Sequence, residues 1–186
     1  MKSDQFEIAE GHAIEYANEE HHKRSIGQYI RKVKNTVLML LAYACPNNSL
    51  RVLFHKWRGV HIGKHVYIGM FCFLDNLYPE YIYIEDSVSI NAETMLLTHF
   101  NPRSAYKGIY LARVRPVLIK KEAIVSVKCT VLPGVEIGEW ATISSGTVVD
   151  KDVPSYTVAS GNPMQIGSNY RKLVERQLRR QERERS

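Results

Sequence analysis

One feature restricts what this chain can fold into more than any other: a six-residue beat. Aliphatic residues stand at Ile62, Ile68 and Leu74, then at Ile84, Ile90 and Leu96. They resume at Ile119, Val125, Val131, Ile137, Ile143 and Val149. Four residues after most of these anchors comes a second small or branched residue: Val66, Cys72, Val88, Thr94, Ala123, Cys129, Val135, Ala141, Thr147 and Val153. A helix would repeat near 3.6 and an ordinary strand near 2. A period of six fits a short strand and a turn, with two inward side chains per unit. No such unit can bury a core alone, but stacked units can. The expected fold is therefore mainly β, a parallel β-helix. The second inward position must be small because three flat faces meet around a narrow, tightly packed axis. Cys72 and Cys129 occupy it, so they read as core residues rather than a disulfide or metal site.

The beat also sets the organisation. Residues 1–50 read as an N-terminal helical cap, with basic residues from Lys23 to Lys34, an apolar segment from Thr36 to Ala44, and a stop at Pro46-Asn47-Asn48. Its expected task is to cover the open backbone edge of the first coil. A second reading of residues 23–45 is a membrane-surface helix, since basic residues precede apolar ones. Residues 51–167 read as the β-helix and 168–186 as a C-terminal helix with Ser168 as N-cap. Two insertions break the beat, one near Leu77-Tyr78-Pro79-Glu80 and a longer one between His99 and Leu118, giving an inserted loop over 100–118. Loops on a rigid scaffold are where function concentrates.

Composition narrows the classes. The formal net charge is +6, and the last nineteen residues carry seven Arg/Lys against three Glu. The interspersed glutamates favour a solvated helix face over nucleic-acid binding. Three cysteines without close spacing point to a reducing compartment, hence the cytoplasm. No signal peptide is expected from the charged N-terminal stretch. The apolar run Val37 to Cys45 is too short to span a bilayer.

The stretches "VYIGMFCFLDNLYPEYIYIEDSVSINAETMLLTHFNP" and "RPVLIKKEAIVSVKCTVLPGVEIGEWATISSGTVVDKDVPSYTVASGNP" resemble the hexapeptide-repeat acyltransferases. The group they are most similar to is the sugar and polysaccharide O-acetyltransferases, including the galactoside and maltose enzymes. The resemblance implies a left-handed coil, a homotrimer, and acetyl-CoA as donor. It implies transfer of the acetyl group to a hydroxyl of a sugar or surface-polysaccharide precursor. It places His99 as the general base, and an imidazole with a reference pKa near 6.5 suits that task. Asp75 and Asn76 are then candidates to hold the acceptor's hydroxyls, with Tyr78 and Tyr81 as an apolar sugar platform. Ser144, Ser145 and Gly146 are implied on pantetheine, and Lys151 near the phosphates. The segment "AIVSVKCTV" and Asp150 depart from the family pattern, as does "GNPMQIG", which lacks a basic residue that Arg171 or Lys172 would replace. Two alternatives stand beside this reading: a same-fold acyltransferase with a non-sugar acceptor (an antibiotic, a serine or an amine), and a non-catalytic scaffold. No metal is expected, because His61 and His65 share one turn while His99 lies about two coils away.

Overall fold

The computed structural model describes residues 26–100 and 113–185. Helix α1 (Ile26–Ala44) and helix α2 (Asn48–Arg58) open it. Pro46 stops α1, and the Asn47 side chain accepts a hydrogen bond from the Leu50 N–H at 3.1 Å, so the sequence that ends one helix caps the next. Gly59, at φ +107°, closes α2 in the left-handed region that glycine enters without a Cβ clash. Residues 51–58, expected as the start of the coils, are thus helical. Asn-Asn after Pro reads equally as a stop or as a cap, and only the helix beyond decides.

Among the described residues, fifteen of sixteen strands then run from β1 (His61–Ile62) to β15 (Thr157–Ser160), most of them two residues long. They fall into three parallel sheets and one small hairpin. The first sheet orders β1, β4 (Ile82–Ile84), β9 (Val117–Ile119) and β12 (Glu136–Ile137). The second orders β2 (Tyr67–Ile68), β5 (Ser89–Ile90), β10 (Ile124–Val125), β13 (Thr142–Ile143) and β15. The third orders β3 (Phe73–Leu74), β6 (Met95–Leu96), β11 (Thr130–Val131) and β14 (Val148–Val149). The chain visits the sheets in rotation, and this connectivity fits a three-sided β-helix. The registers stack anchor on anchor: Leu74 on Leu96, Leu96 on Val131, Val131 on Val149.

The inward positions are those the beat marks. Ile68, Leu74, Ile90, Leu96, Ile119, Val125, Val131, Ile137, Ile143 and Val149 have no exposed surface, and Cys72 and Cys129 are buried beside them. Burial raises both thiols above their usual range. The turns repeat as well. His65, Phe71, Ser87, Glu93, Glu122, Lys128, Trp140 and Tyr156 all hold a left-handed φ of 55–61°. Gly134 takes the same place at φ +88°.

The helix pair covers the open edge through side chains. Asn48 accepts from the Ile68 N–H at 3.0 Å and donates to the Val66 carbonyl at 3.1 Å. Arg51 Nε donates to the Ile68 carbonyl at 2.7 Å. Backbone groups that would otherwise invite a strand from another chain are so satisfied. At the other end, β16 (Gln165–Asn169) turns back antiparallel on β15, and helix α3 spans Arg171–Arg185. Ser168, expected as its N-cap, lies in β16; Asn169 accepts the Arg171 N–H instead, at 3.0 Å. Tyr170 fixes this start, its hydroxyl bonded to the Trp140 carbonyl and to Thr142 Oγ1.

Candidate active site

The first insertion and the second leave the same corner of the coil, between the third sheet and the first. The first insertion is a short 3-10 turn, Pro79–Tyr81. The second leaves on β7 (His99–Phe100) and returns on β8 (Arg113–Val114), paired antiparallel with His99 opposite Val114. Residues 101–112, most of the expected 100–118 loop, lie outside the described residues. Residues 113–114 and 117–118 are strand.

Because Leu74 and Leu96 are in register, the residues that follow them meet across adjacent coils. There, His99 Nδ1 lies 2.5 Å from Asp75 Oδ2. Asp75 is 0% exposed. Its Oδ2 also accepts from the Thr98 N–H at 2.9 Å and the Thr98 hydroxyl at 2.8 Å. Its Oδ1 accepts from the N–H groups of Leu77 and Tyr78. Burial alone would raise the Asp75 pKa. The hydrogen bonds from His99 and Thr98, and the imidazole's charge, outweigh it and hold the carboxyl below its ordinary range. The hydrogen bond to Asp75 in turn raises His99 above 6.5, against the opposing effect of its partial burial.

This arrangement fixes the tautomer. A carboxylate only accepts, so Nδ1 carries the proton and the lone pair of the neutral ring is on Nε2. Tyr78 holds the ring from the side, with centroids 5.6 Å apart edge to face. Tyr78 is 8% exposed and packs with Val114 and Tyr81. It is therefore a wall of the imidazole's seat rather than an open sugar platform.

Two expectations change for the same reason. Asp75 has no surface to offer an acceptor, and both its oxygens are occupied; here it orients His99. Asn76 points beneath α1, where its Nδ2 donates to Thr36 Oγ1 at 2.9 Å and its Oδ1 is buried. The inserted turn tucks these residues under the helix, which spacing along the chain does not reveal.

Three residues here were not singled out from sequence. Thr98 presents two donors to Asp75. Arg58 of α2 donates to the carbonyls of Leu74 at 2.8 Å and of Asp75 itself at 2.6 Å. His55 faces Arg58 across 3.0 Å. Burial first, then the charges of Arg58 and Arg51, hold the His55 pKa down at about 3, so this ring is neutral and can accept from the guanidinium. Burial lowers Arg58 itself to about 10, with Asp75 acting the other way. The available signal was a period: Arg51, His55 and Arg58 are spaced along one helix face.

The residues implied for the donor divide between two corners. Lys151 is exposed on the His99 corner, in the turn after β14. Ser144, Ser145 and Gly146 lie on the corner between the second and third sheets. The N–H groups of Ser144 and Gly146 are already given to the carbonyls of Ala159 and Val127. Ser145 is exposed, and the space over Gly146 is open: a Cβ there would meet nothing within 4 Å. His61 stacks flat on Tyr83 at 4.6 Å. Among the described residues no three His, Cys, Asp or Glu side chains could hold a metal ion.

No protein-family model matches the chain. It is 30% identical over 166 residues to "Putative acetyltransferase YvoF" of Bacillus subtilis, covering 89% of this chain and 93% of that one. The fold is similar to that of the hexapeptide-repeat acetyltransferase VCA0836 of Vibrio cholerae, solved with acetyl coenzyme A bound. That match has TM-score 0.65 and 19% identity, over 78% of this chain and 90% of that one. It is similar also to a maltose O-acetyltransferase from Clostridium difficile, with TM-score 0.62 and 20% identity, over 78% and 89% of the two chains.

Proposed function

Because the chain belongs to the hexapeptide-repeat acetyltransferases, a family that uses acetyl-CoA, we propose that it transfers the acetyl group to a hydroxyl of a sugar or surface-polysaccharide precursor, with His99 as general base. The observation that carries this reading is the His99–Asp75 pair at the mouth of the long insertion. His99 Nε2 takes the proton of the acceptor hydroxyl, and the oxygen forms its bond to the thioester carbonyl carbon. Asp75 keeps the ring in the tautomer that can do so and stabilises the imidazolium. As the carbon–sulfur bond breaks, the imidazolium returns the proton to the departing thiolate, so His99 ends as it began. The sugar acceptor is supported by the likeness to a maltose O-acetyltransferase. A left-handed coil and a trimer belong to the same reading. A groove between two copies would face Lys151 and His99 of one with the Ser144–Gly146 corner of the other, which explains why those residues are divided within one chain.

Release of free thiol from acetyl-CoA, followed across nucleotide sugars and simple glycosides, tests the activity. His99→Ala should lower turnover by roughly 10²–10⁴-fold with the fold kept, the thermal melt falling only by the lost pairing with Asp75. Activity within about threefold of the parent would remove His99 from the role, given that range.

A further inference from the structure

The two N-terminal helices are packed inside out. The face of α1 and α2 that meets the coils is largely polar: Asn35, Arg51, His55 and Arg58 are all buried. The face turned away is apolar. On α1 it presents Ile26, Tyr29, Ile30, Val33, Val37, Leu40 and Leu41. These follow a helical spacing and form one stripe. On α2, Leu50, Leu53 and Trp57 are exposed as well. The residues are truly outward, with Leu40 60% and Trp57 56% exposed. A stripe of this width is not the scatter of single apolar residues common on protein surfaces.

The charges around the stripe identify its partner. At a hundred degrees per residue, Lys32 and Lys34 fall on opposite flanks of the α1 stripe. Lys56 lies beside it on α2. Of the six Lys/Arg between residues 26 and 58, Arg51 and Arg58 face the coils and Arg31 pairs with Glu80, so Lys32, Lys34 and Lys56 are the cations of the outward face, Lys34 Nζ also donating to the Trp57 carbonyl at 3.2 Å. The Glu80 carboxylate is paired with Arg31 at 3.3 Å. A second copy of this face would bring these lysines together, with no acid among the described residues of α1 and α2 to answer them. Lysines rimming an apolar stripe instead match a helix lying in the headgroup layer, its stems along the acyl boundary and its ammonium groups among anionic headgroups. No helix among the described residues is long and apolar enough to cross a membrane.

We propose that the outward face of α1 and α2 docks on the surface of an anionic lipid bilayer. This goes beyond the acetyl-transfer reading and does not depend on it. The docked face is close to the candidate site: Thr36 of α1 is bonded to Asn76, the neighbour of Asp75. The corner bearing His99 is thereby set beside the bilayer.

The test is flotation of the full chain with vesicles of phosphatidylcholine, with and without phosphatidylglycerol. Binding should be at least about tenfold stronger to the vesicles containing phosphatidylglycerol, and should weaken as salt is raised. Val37→Asp combined with Leu40→Asp should abolish flotation and leave the thermal melt unchanged, because both side chains are exposed. Lys32→Glu combined with Lys34→Glu should remove the preference for phosphatidylglycerol; this pair decides the matter if the aspartate pair folds poorly. A parent protein that stays unbound with phosphatidylglycerol vesicles overturns the proposal, as do variants that float like the parent. Loss of the parent's oligomeric state in the aspartate pair, with no flotation by the parent, would make the face an interface between copies and overturn it too.

Discussion

At the scale of single residues, the site turns on how a buried carboxylate is kept charged. Asp75 accepts from Thr98, Leu77, Tyr78 and His99, and its own carbonyl is held by Arg58. The stability linked to Asp75, whose pKa is lowered, is present above its ordinary value of 3.8 and is lost as pH falls through the lowered value. His99 is raised, so its share is complete below 6.5 and fades as pH rises through the raised value. The proposed base role needs the opposite protonation state of His99, since a base must be neutral. The acid limb of the kcat/KM profile should therefore lie above pH 6.5 in the parent, where the His99 pKa stands raised. In Asp75→Asn that limb should move to lower pH while the plateau falls, because the uncharged amide neither raises the ring's pKa nor enforces the Nδ1–H tautomer. A pH–rate profile checks both. A limb that stays in place would show that His99 titrates independently of Asp75.

At the scale of elements, the strands are so short that the turns carry the geometry. Among the described residues, eight that are not glycine sit in the left-handed region, a conformation that costs an L-residue roughly 1–2 kcal/mol. The stacked backbone bonds impose it: the Ser87 N–H, for example, donates to the Lys64 carbonyl one coil below at 2.8 Å. Ser87, at φ 58°, offers a clean test. Ser87→Val should destabilise by about 1–3 kcal/mol, since a β-branched side chain tolerates this region poorly. Ser87→Gly should equal or exceed the parent. Urea denaturation of the three proteins gives the comparison, and equal midpoints for Val and Gly would mean that the turn relaxes out of the left-handed region. The helices show how local signals mislead. Asn47-Asn48 after Pro46 reads as a terminus, yet Asn47 caps α2 and Asn48 mimics a missing neighbour strand for β2.

At the scale of the whole molecule, the three parallel sheets offer flat sides for association. The third sheet presents Phe73, Met95, Thr130 and Val148 outward in register, and under the proposed function the residues implied for the donor, divided between two corners, would need a second copy. Light scattering at micromolar protein should give three times the chain's mass; a stable monomer would leave Ser144–Gly146 and Lys151 on separate surfaces. The sequence by itself determined the coil. Its inward positions repeat every six residues, and each is judged by the same local condition, a side chain of fitting size facing a narrow axis. The resemblance singled out His99, and the break in the beat places it where the chain leaves the scaffold. Only the tertiary structure decided what His99 is bonded to. Asp75, Thr98 and Arg58 come from two coils and a helix, and no periodicity along the chain encodes which residues of stacked turns meet. The same holds for Tyr78 and Asn76, which the inserted turn carries inward. It holds for the helix pair as well: an amphipathic stripe in a sequence says that one face is apolar, but not which face the rest of the fold will cover.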